Sequence, residues 1–381
     1  MVYLDYSATT KVDKEVLNSF VMVNEKYFAN PNSLHKLGIE AKKLSDAATE
    51  QIKKIINIPD SEIIYTSCSS ESNNLAIIGT CLRNQKKGKH IITTNLEHSS
   101  IYGPISYLQK LGFDVDFVKT KDGLVDIDDL KRLIKDDTIL VTIGAVNSET
   151  GVKQNIEEIS KLLKNYKCYF HVDATQSVGK VRINYKDVDL LSFTAHKFYG
   201  LKGIACLIKK NNLKMEPMIH GGKSTTIYRS GTPALPLIVS ISKALRLIDI
   251  KMDDYYKSVL YLNSYIKEAL KKYDNVRINS NMYSIPHILN ISVLNVKPET
   301  LQHALEEYDI YISTQSACSS NNQVSKSVLE VTKDEKSASH SVRISLSGLT
   351  TKEEIDYFLD KFDKCIEKFN NLRWIYGNHK N

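Results

Sequence analysis

The sequence lacks the features that are typical of zinc-binding, disulfide-rich, secreted and membrane proteins. Its six cysteines, which are scattered and include no CxxC pair, are Cys68, Cys81, Cys168, Cys206, Cys318 and Cys365. Neither a zinc site nor a disulfide framework is expected from this arrangement. No apolar run approaches the roughly 20 residues that span a bilayer, and the first residues contain no apolar segment of signal-peptide length. These absences predict a cytoplasmic protein with reduced thiols, without a bound metal and without membrane contact.

The composition is that of an ordinary soluble globular protein, with 42% hydrophobic and 25% charged residues. A chain of 381 residues is too long for one small core and fits one large domain with a smaller companion. The net charge of +7 comes from lysines spread along the chain and not from one basic block. This distribution favours a solvated lysine-rich surface over direct nucleic-acid binding.

Short apolar runs alternate with helix-length amphipathic runs such as NIEEISKLLKNY from about residue 62 onward. Seven of these runs are rich in β-branched or aromatic residues: EIIYTS, HIITTN, FDVDFV, TILVTIGAV, KCYFHVDA, DLLSFTA and GIACLIK. The alternation predicts an α/β domain with a mostly parallel sheet. Further strands in HILNISVL and SVRISLS, followed by a helix in TKEEIDYFLDKFDKCIEKF, predict a smaller α+β domain with a boundary near 245.

Polar residues follow the predicted strands where ligands bind in open α/β sheets, beyond the carboxyl ends. They are 67–74, 97–98, 147–149, 173–176 and 194–197. We expect these five strand exits to converge on one crevice.

Three of these residues allow a chemical interpretation beside a structural one. Ser70 stands where a strand gives way to a helix, so it is either an N-cap or part of a phosphate site. Asp173 follows a buried strand and needs a partner, either a structural cation or a protonated ring nitrogen. Lys197 either extends to solvent or, in an apolar crevice, becomes a neutral amine able to form a Schiff base. Lys197 occurs together with Asp173, His98 and a helix N-terminus that suits a phosphate. This combination favours a binding site for pyridoxal phosphate.

Ten sequence blocks together resemble the NifS/IscS-type cysteine desulfurases, which belong to the class-V aminotransferases. The blocks are YLDYSATT, ANPNSLHKLG, TSCSSESNNLAI, LEHSS, VNSETG, HVDATQSVG, SFTAHKFYG, YRSGT, STQSACSS and VRISLSGLTTKEEID, in the order and spacing of the family. The resemblance implies the aspartate-aminotransferase-like fold of pyridoxal-phosphate enzymes, with a mostly parallel seven-stranded sheet. It further implies a large cofactor-binding domain over 13–245 and a small α+β domain formed by 1–12 and 246–381.

The resemblance also implies roles for single residues. Lys197 would bind the cofactor covalently, Asp173 would pair with its ring nitrogen, and Gln176 would contact its ring hydroxyl. His98 would stack on the ring and take part in proton transfer. The remaining implied contacts are Ser70, Thr194, His196 and Thr232 with the phosphate, and Asn147 and Arg343 with the substrate carboxylate. Thr232 would reach across from a partner subunit, so a homodimer follows.

The implied reaction converts L-cysteine to L-alanine and leaves the sulfur on Cys318 as a persulfide. Cys318 lies in QSACSSNNQVSKS, a stretch whose composition is typical of a loop. By itself it could be a passive thiol, and its place in the SAC block favours the catalytic role. The long interval between Cys318 and Arg343 resembles the branch of the family that delivers sulfur to several acceptors. An iron-sulfur scaffold and a tRNA-thiolating enzyme are the acceptors expected.

The sequence departs from the family pattern at Tyr6, at 68–70 and at Leu201. The largest departure is at Lys223, Ser224, Thr225 and Thr226, near the expected phosphate or dimer contact. Two other functions therefore stay open at this point. One is a related selenocysteine lyase or aminotransferase of the same cofactor class, and the other is a catalytically weak member retained as a scaffold subunit.

Overall fold

The computed structural model of the protein describes residues 1–58, 60–222, 224–314 and 324–377, with the side chains of 372–377 outside this description. The chain divides into two compact units. The large unit is Thr9–Val146 with Gln154–Met252, and the small unit is Met1–Ala8, Asn147–Lys153 and Asp253–Asn381. None of the helices in the described residues combines the length and the apolar composition that crossing a membrane requires.

The helices and strands alternate through most of the large unit. The strands are β1 (Val2–Tyr3), β2 (Ser61–Thr66), β3 (His90–Thr94), β4 (Asp114–Val118), β5 (Thr120–Lys121), β6 (Leu124–Val125), β7 (Thr138–Gly144), β8 (Tyr169–Asp173), β9 (Leu190–Thr194), β10 (Ala205–Lys210), β11 (Val276–Ile278), β12 (Ile288–Val293), β13 (Ile310–Tyr311) and β14 (Ser341–Ser345). The α-helices are α1 (Lys14–Lys26), α2 (Lys36–Ile56), α3 (Ser69–Asn74), α4 (Thr80–Asn84), α5 (Ser99–Lys110), α6 (Ile127–Leu133), α7 (Ile156–Leu163), α8 (Leu235–Leu270), α9 (Pro298–Glu306), α10 (Lys326–Thr332), α11 (Glu335–Ser339) and α12 (Lys352–Gly377). A π-helix (Leu75–Gly79) joins α3 to α4, and a 3₁₀ turn (Ala195–Lys197) follows β9.

A seven-stranded sheet in the order β2-β10-β9-β8-β7-β3-β4 forms the centre of the large unit. The pairs from β9 to β4 are parallel, and β10 runs antiparallel to both of its neighbours. Strands β3 and β9 are buried along their whole length, which is typical of strands covered on both faces. Each of the seven predicted runs overlaps one strand of this sheet, so the predicted fold class is confirmed.

The small unit contains an antiparallel sheet in the order β11-β12-β14 and a parallel pair of β1 with β13. Its core is formed by alternate apolar residues of the strands, such as Leu289 and Ile344, and by Phe358 and Phe362 of α12, all almost fully buried. Covering one face of the sheet with α12 gives this unit a hydrophobic core of its own.

The two units differ from the predicted domain ranges at three places. Residues 9–12 lie in the large unit, where the Thr10 backbone N–H and hydroxyl both donate to the His196 carbonyl at 2.9 and 3.0 Å. Residues 246–252 also lie there, and Asp249 accepts from Arg182 at 2.7 Å. Residues 147–153 lie in the small unit, where the Ser280 hydroxyl donates to the Thr150 carbonyl at 2.8 Å.

Candidate active site

Lys197 lies in the turn that ends β9, at the carboxyl edge of the large sheet. The turn is closed by the Phe198 and Gly200 N–H groups, which both donate to the Ala195 carbonyl at 3.0 and 2.9 Å. A Cβ at Gly200 would lie 2.6 Å from the Ala195 Cβ, so only glycine fits this close approach. Tyr199 has a positive φ of 65°, a conformation that costs free energy in non-glycine residues. The chain thus holds Lys197, which is partly exposed, in a tightly fixed turn.

Asp173 is the last residue of β8 and is largely buried. Its Oδ2 accepts from the Asn73 side chain at 2.9 Å, and its Oδ1 accepts from the Thr175 N–H at 3.0 Å. Both hydrogen bonds come from neutral donors. A buried carboxylate in such surroundings is further stabilised by a cationic partner.

Helix α3 begins beside Asp173, and its N-cap residue Cys68 makes no side-chain capping bond. Ser70 is exposed in the first turn, so the hydroxyl and the first N–H groups of the helix suit an anion. Glu71 connects this turn to the YRSGT block, because it accepts from the Ser67 N–H at 2.7 Å and from Arg229 at 3.0 Å.

Thr232 lies three residues beyond Arg229 in the same unit and is exposed. It lines a cavity of about 90 Å³ together with Ser67, Thr225 and Arg229. The Glu71 to Arg229 ion pair holds the YRSGT block, which carries Thr232, against the first turn of α3. The contact of Thr232 with the phosphate of a partner subunit stays a prediction.

His98 caps the N-terminus of α5, and its Nδ1 accepts from the Ser100 N–H at 3.1 Å. Burial lowers the pKa of the His98 ring, an effect that the Asp173 charge opposes and the Lys197 charge adds to. The neighbouring Glu97 is buried, with its carboxyl group accepting from the Thr94 hydroxyl at 2.6 Å and from the Gly144 N–H at 2.8 Å. Burial, followed by repulsion from Asp173, raises the pKa of Glu97 to about 8.

The other residues predicted to contact the cofactor, Thr194, His196 and Gln176, form side-chain hydrogen bonds within the large unit. The Thr194 hydroxyl donates to the Ile204 carbonyl at 3.0 Å, and the His196 Nδ1 lies 3.1 Å from the Thr9 hydroxyl. Burial, with the Lys197 charge second, lowers the pKa of His196 to about 4. Lys180 donates to the Gln176 Oε1, which makes the Nε2 end of that amide its donor end.

In the small unit, Arg343 is buried in β14 and is no surface charge. Its Nη2 donates to Asp5 at 2.7 Å and its Nη1 donates to the Ser148 carbonyl at 3.0 Å. Its Nε is buried and has no partner among the described residues. A carboxylate ligand would satisfy that N–H, because the guanidinium fork matches carboxylate geometry.

Asn147 directly precedes Ser148, and its side chain stabilises the turn that follows. Its Oδ1 accepts from the N–H groups of Glu149 and Thr150 at 3.0 and 2.8 Å, and its Nδ2 donates to the Ser327 hydroxyl at 3.0 Å. The small unit therefore brings the two predicted substrate residues into one cluster, through the bond from Arg343 to Ser148.

Cys318 lies outside the described residues, so its predicted role is not tested by the geometry. Sequence reasoning missed Asn73, Ser100 and Asp5. Asn73 and Ser100 stand three and two residues from the predicted site residues Ser70 and His98, whereas Asp5 stands in the YLDYSATT block with no predicted site residue beside it. For the first two, that proximity in the sequence was the available signal.

Known proteins that resemble the chain identify its family. The sequence profile described as Aminotransferase class-V matches residues 2–358. The chain belongs to the class-V aminotransferase family. It is 38% identical over 377 residues to a protein named cysteine desulfurase IscS from Dictyoglomus turgidum, an alignment that covers 97% of this chain and 96% of that protein.

Two solved structures extend the likeness to the fold. A structure titled NIFS-like protein superimposes with a TM-score of 0.90 at 33% identity, covering 96% of this chain and 99% of that one. A NifS-like protein from Rickettsia africae gives a TM-score of 0.85 at 30% identity, covering 96% and 99%. The predicted family is confirmed.

Pyridoxal 5′-phosphate is the cofactor of this family, and the residues of the large unit fit it. The buried Asp173 carboxylate suits a protonated ring nitrogen, and the uncapped start of α3 suits a phosphate. Lys197, at the exit of β9, supplies the amine that an aldehyde requires. The ring nitrogen, the phosphate and the aldehyde of the cofactor are therefore each matched by a suitable group at one edge of the sheet.

Proposed function

We propose that this protein removes sulfur from L-cysteine, leaves L-alanine, and passes the sulfur from Cys318 to a protein acceptor. The chain is a cysteine desulfurase dependent on pyridoxal phosphate, in agreement with relatives that match it over nearly their whole length. The buried Asp173, with two neutral donors beside the Lys197 turn, is the structural observation that carries the proposal.

Within the large unit, we assign the cofactor to Lys197, Asp173 and Gln176, with the phosphate at Ser70, Thr194 and His196. When bound, the cofactor would supply an aldehyde for the substrate amine and a ring that withdraws electrons. Asp173 keeps a proton on the ring nitrogen, because a buried carboxylate favours a cationic partner. The Lys197 amine removes the α-proton of cysteine and later returns a proton to the product.

Within the small unit, Arg343 and Asn147 hold the substrate carboxylate. The Arg343 Nε is the donor that lacks a partner among the described residues, so it provides a hydrogen bond for the ligand without breaking the bond to Asp5. Binding the carboxylate there orients cysteine before its sulfur reacts.

Cys318 performs the sulfur transfer. Its thiolate forms a bond to the cysteine sulfur, the carbon–sulfur bond of the substrate breaks, and the electron pair stays with the three-carbon fragment that leaves as alanine. The product on the enzyme is a persulfide, which an iron-sulfur scaffold or a tRNA-thiolating enzyme then accepts. The long interval between Cys318 and Arg343 supports delivery to such acceptors.

A homodimer completes the proposal. Large apolar side chains are exposed in the large unit, among them Phe28 at 76%, Leu34 at 93% and Ile227 at 61%. The Asn32 side chain donates to the Ser224 hydroxyl at 3.1 Å. This bond connects the segment that carries Phe28 and Leu34 to the segment that carries Ile227. An exposed apolar patch of this kind supports association with a second copy. Replacing Leu34 with lysine should give a monomer in sedimentation velocity, and an unchanged dimer would contradict this surface.

We also propose a cytoplasmic location. The five cysteines in the described part of the chain are free thiols, as a reducing compartment favours. Cell fractionation followed by immunodetection tests this assignment, and recovery in the membrane or secreted fraction would contradict it.

The deciding experiment replaces Cys318 with alanine. The variant should keep the cofactor absorption band and lose the release of sulfide from L-cysteine in the presence of a reductant. Cys168→Ala is the matched control, because Cys168 lies at the amino end of β8, away from the site. Undiminished sulfide release by Cys318→Ala would remove this thiol from the mechanism. Comparing cysteine with selenocysteine in the same assay distinguishes the lyase alternative.

A further inference from the structure

A continuous set of hydrogen bonds joins Asp173 to His98 inside the large unit. The Asn73 Nδ2 donates one hydrogen to the Asp173 Oδ2 and the other to the Ser100 Oγ, each at 2.9 Å. The Ser100 Oγ lies 2.8 Å from the His98 Nδ1. Asn73 is fully buried and Ser100 is nearly so, which keeps water from replacing these bonds.

The direction of each bond follows from chemistry. The Ser100 backbone N–H only donates, so the His98 Nδ1 at 3.1 Å must accept and carries no proton. The Ser100 Oγ already accepts from Asn73, and its own proton therefore points to the same Nδ1. A neutral ring with a bare Nδ1 carries its proton on Nε2.

The orientation of the Asn73 amide supports this direction. Turning the amide over would place its Oδ1 against the Asp173 carboxylate, where two acceptors repel each other. In the observed orientation the Oδ1 is buried without a partner in the described residues, a cost that the two bonds from Nδ2 offset. Asp173 thereby selects the orientation of Asn73, and Asn73 selects that of the Ser100 hydroxyl.

We propose that Asn73 and Ser100 are positioning residues that lock His98 as a neutral Nε2–H donor, so that His98 holds its ligand by a hydrogen bond and transfers no proton. Adding a proton at Nδ1 would set it against two donors, and the Nε2 of a neutral ring is already protonated. Proton removal and return then fall to Lys197. This inference rests on the proposed function, in which Asp173 binds the cofactor ring, and on the stacking of His98 on that ring that the sequence resemblance implied. It narrows the role of His98 that the sequence resemblance implied.

The first test observes the tautomer directly. The holoenzyme is labelled with ¹⁵N-histidine, and the His98 signal is assigned by its loss in His98→Gln. The wild type should show a bare Nδ1 and a protonated Nε2 across the neutral pH range. Ser100→Ala and Asn73→Ala should each shift the ring toward a mixture of tautomers, whereas Ser99→Ala and Asn74→Ala should not. A protonated Nδ1 in the wild type would overturn the inference.

The second test separates hydrogen bonding from proton transfer. Glutamine places an amide N–H near the position of the histidine Nε2 and is no acid or base at neutral pH. His98→Gln should therefore keep kcat within about tenfold of the wild type, while His98→Ala should lose about 10²-fold or more. Equal losses in both variants would overturn the donor role.

A third measurement asks whether the two positioning residues act as one chain. If they do, adding Ser100→Ala to Asn73→Ala should lower kcat no further, because the first change already releases the hydroxyl. Fully additive losses would contradict the chain. Failure of the proposed function would be recognised by a different result. A wild-type protein that forms no alanine from L-cysteine would refute the desulfurase activity. The tautomer of His98 is measured independently of that activity.

Discussion

Two buried charged groups of the large unit differ in how they are satisfied. Lys209, which is 1% exposed, donates to Glu62 and to the Leu213 carbonyl, each at 3.0 Å, and lies 4.8 Å above the Tyr228 ring. Asp173, in contrast, accepts only from neutral donors among the residues that the structure describes. The first group has a complete set of partners inside the fold and is structural. The second gains most from a cation that arrives with a ligand, which is how a binding site differs from a core ion pair.

Glu97 is a third case beside these two. Its pKa is raised to about 8 by burial and then by Asp173, so the carboxyl group is neutral near pH 7. The large unit thus meets the cost of a buried ionisable group by pairing it, as for Lys209, by neutralising it, as for Glu97, or by leaving it for a ligand, as we propose for Asp173. Each arrangement predicts a different response to substitution.

The largest effect is expected from Asp173→Asn, which removes the charge at the ligand site and keeps the shape. The kcat for L-cysteine should fall by about 10²- to 10³-fold, because the ring nitrogen loses the group that keeps it protonated. Steady-state kinetics at saturating cofactor measure the change, and circular dichroism checks the fold. Asp116→Asn is the matched control, since Asp116 lies on β4 of the same sheet and its partner Lys135 is half exposed. A loss below threefold would mean that Asp173 is as structural as Lys209.

Lys209→Met tests the opposite member of the comparison. Breaking the pair should lower the free energy of unfolding by roughly 2–3 kcal/mol, below the value for a fully buried pair because Glu62 is a third exposed. Urea denaturation measures the change. The double variant with Glu62→Gln should recover part of the loss, since no charge is then left unpaired. A collapse of kcat with unchanged stability would contradict the structural assignment.

Glu97→Gln tests the neutralised carboxyl group. The raised pKa means that the fold favours the protonated form, so this contribution to stability is complete below the ordinary value of 4.5 and is lost as pH rises through about 8. The wild type should therefore lose stability between pH 5 and pH 8 relative to Glu97→Gln, by roughly 3 kcal/mol, because each pH unit in this range costs about 1.4 kcal/mol. Unfolding at several pH values measures the difference. Parallel curves for the two proteins would show that Glu97 titrates normally.

The sequence predicted the parts of this molecule that depend on local composition. The runs rich in β-branched residues became the strands of the large sheet, and the polar residues after them lie at the edge where ligands bind in such sheets. What it did not predict are pairings between distant residues. Asn73 and Asp173 are 100 residues apart, and Asp5 and Arg343 are 338 apart.

The domain limits illustrate the same difficulty. Residues 147–153 directly follow strand β7 of the large unit, yet they pack in the small unit, where Glu149 accepts from the Ser325 hydroxyl at 2.5 Å. Nothing in the local composition of VNSETG marks that change of partner. Contacts of this kind are decided by tertiary packing, which overrides local preference.

The smallest effect concerns the segment where the sequence departs from its family. The Thr226 hydroxyl donates to the Glu62 Oε1 at 2.6 Å and completes the network around Lys209, whereas the adjacent Thr225 is exposed. Thr226→Val should cost about 1 kcal/mol of unfolding free energy, the contribution of one hydrogen bond, and Thr225→Val should cost nothing measurable. If Thr226→Val instead weakens cofactor binding at unchanged stability, then the divergent segment serves the ligand site and not the core. Comparing the Thr226 and Thr225 variants therefore shows whether the divergent segment contributes to the core, as Lys209 does, or to the ligand site, as we propose for Asp173.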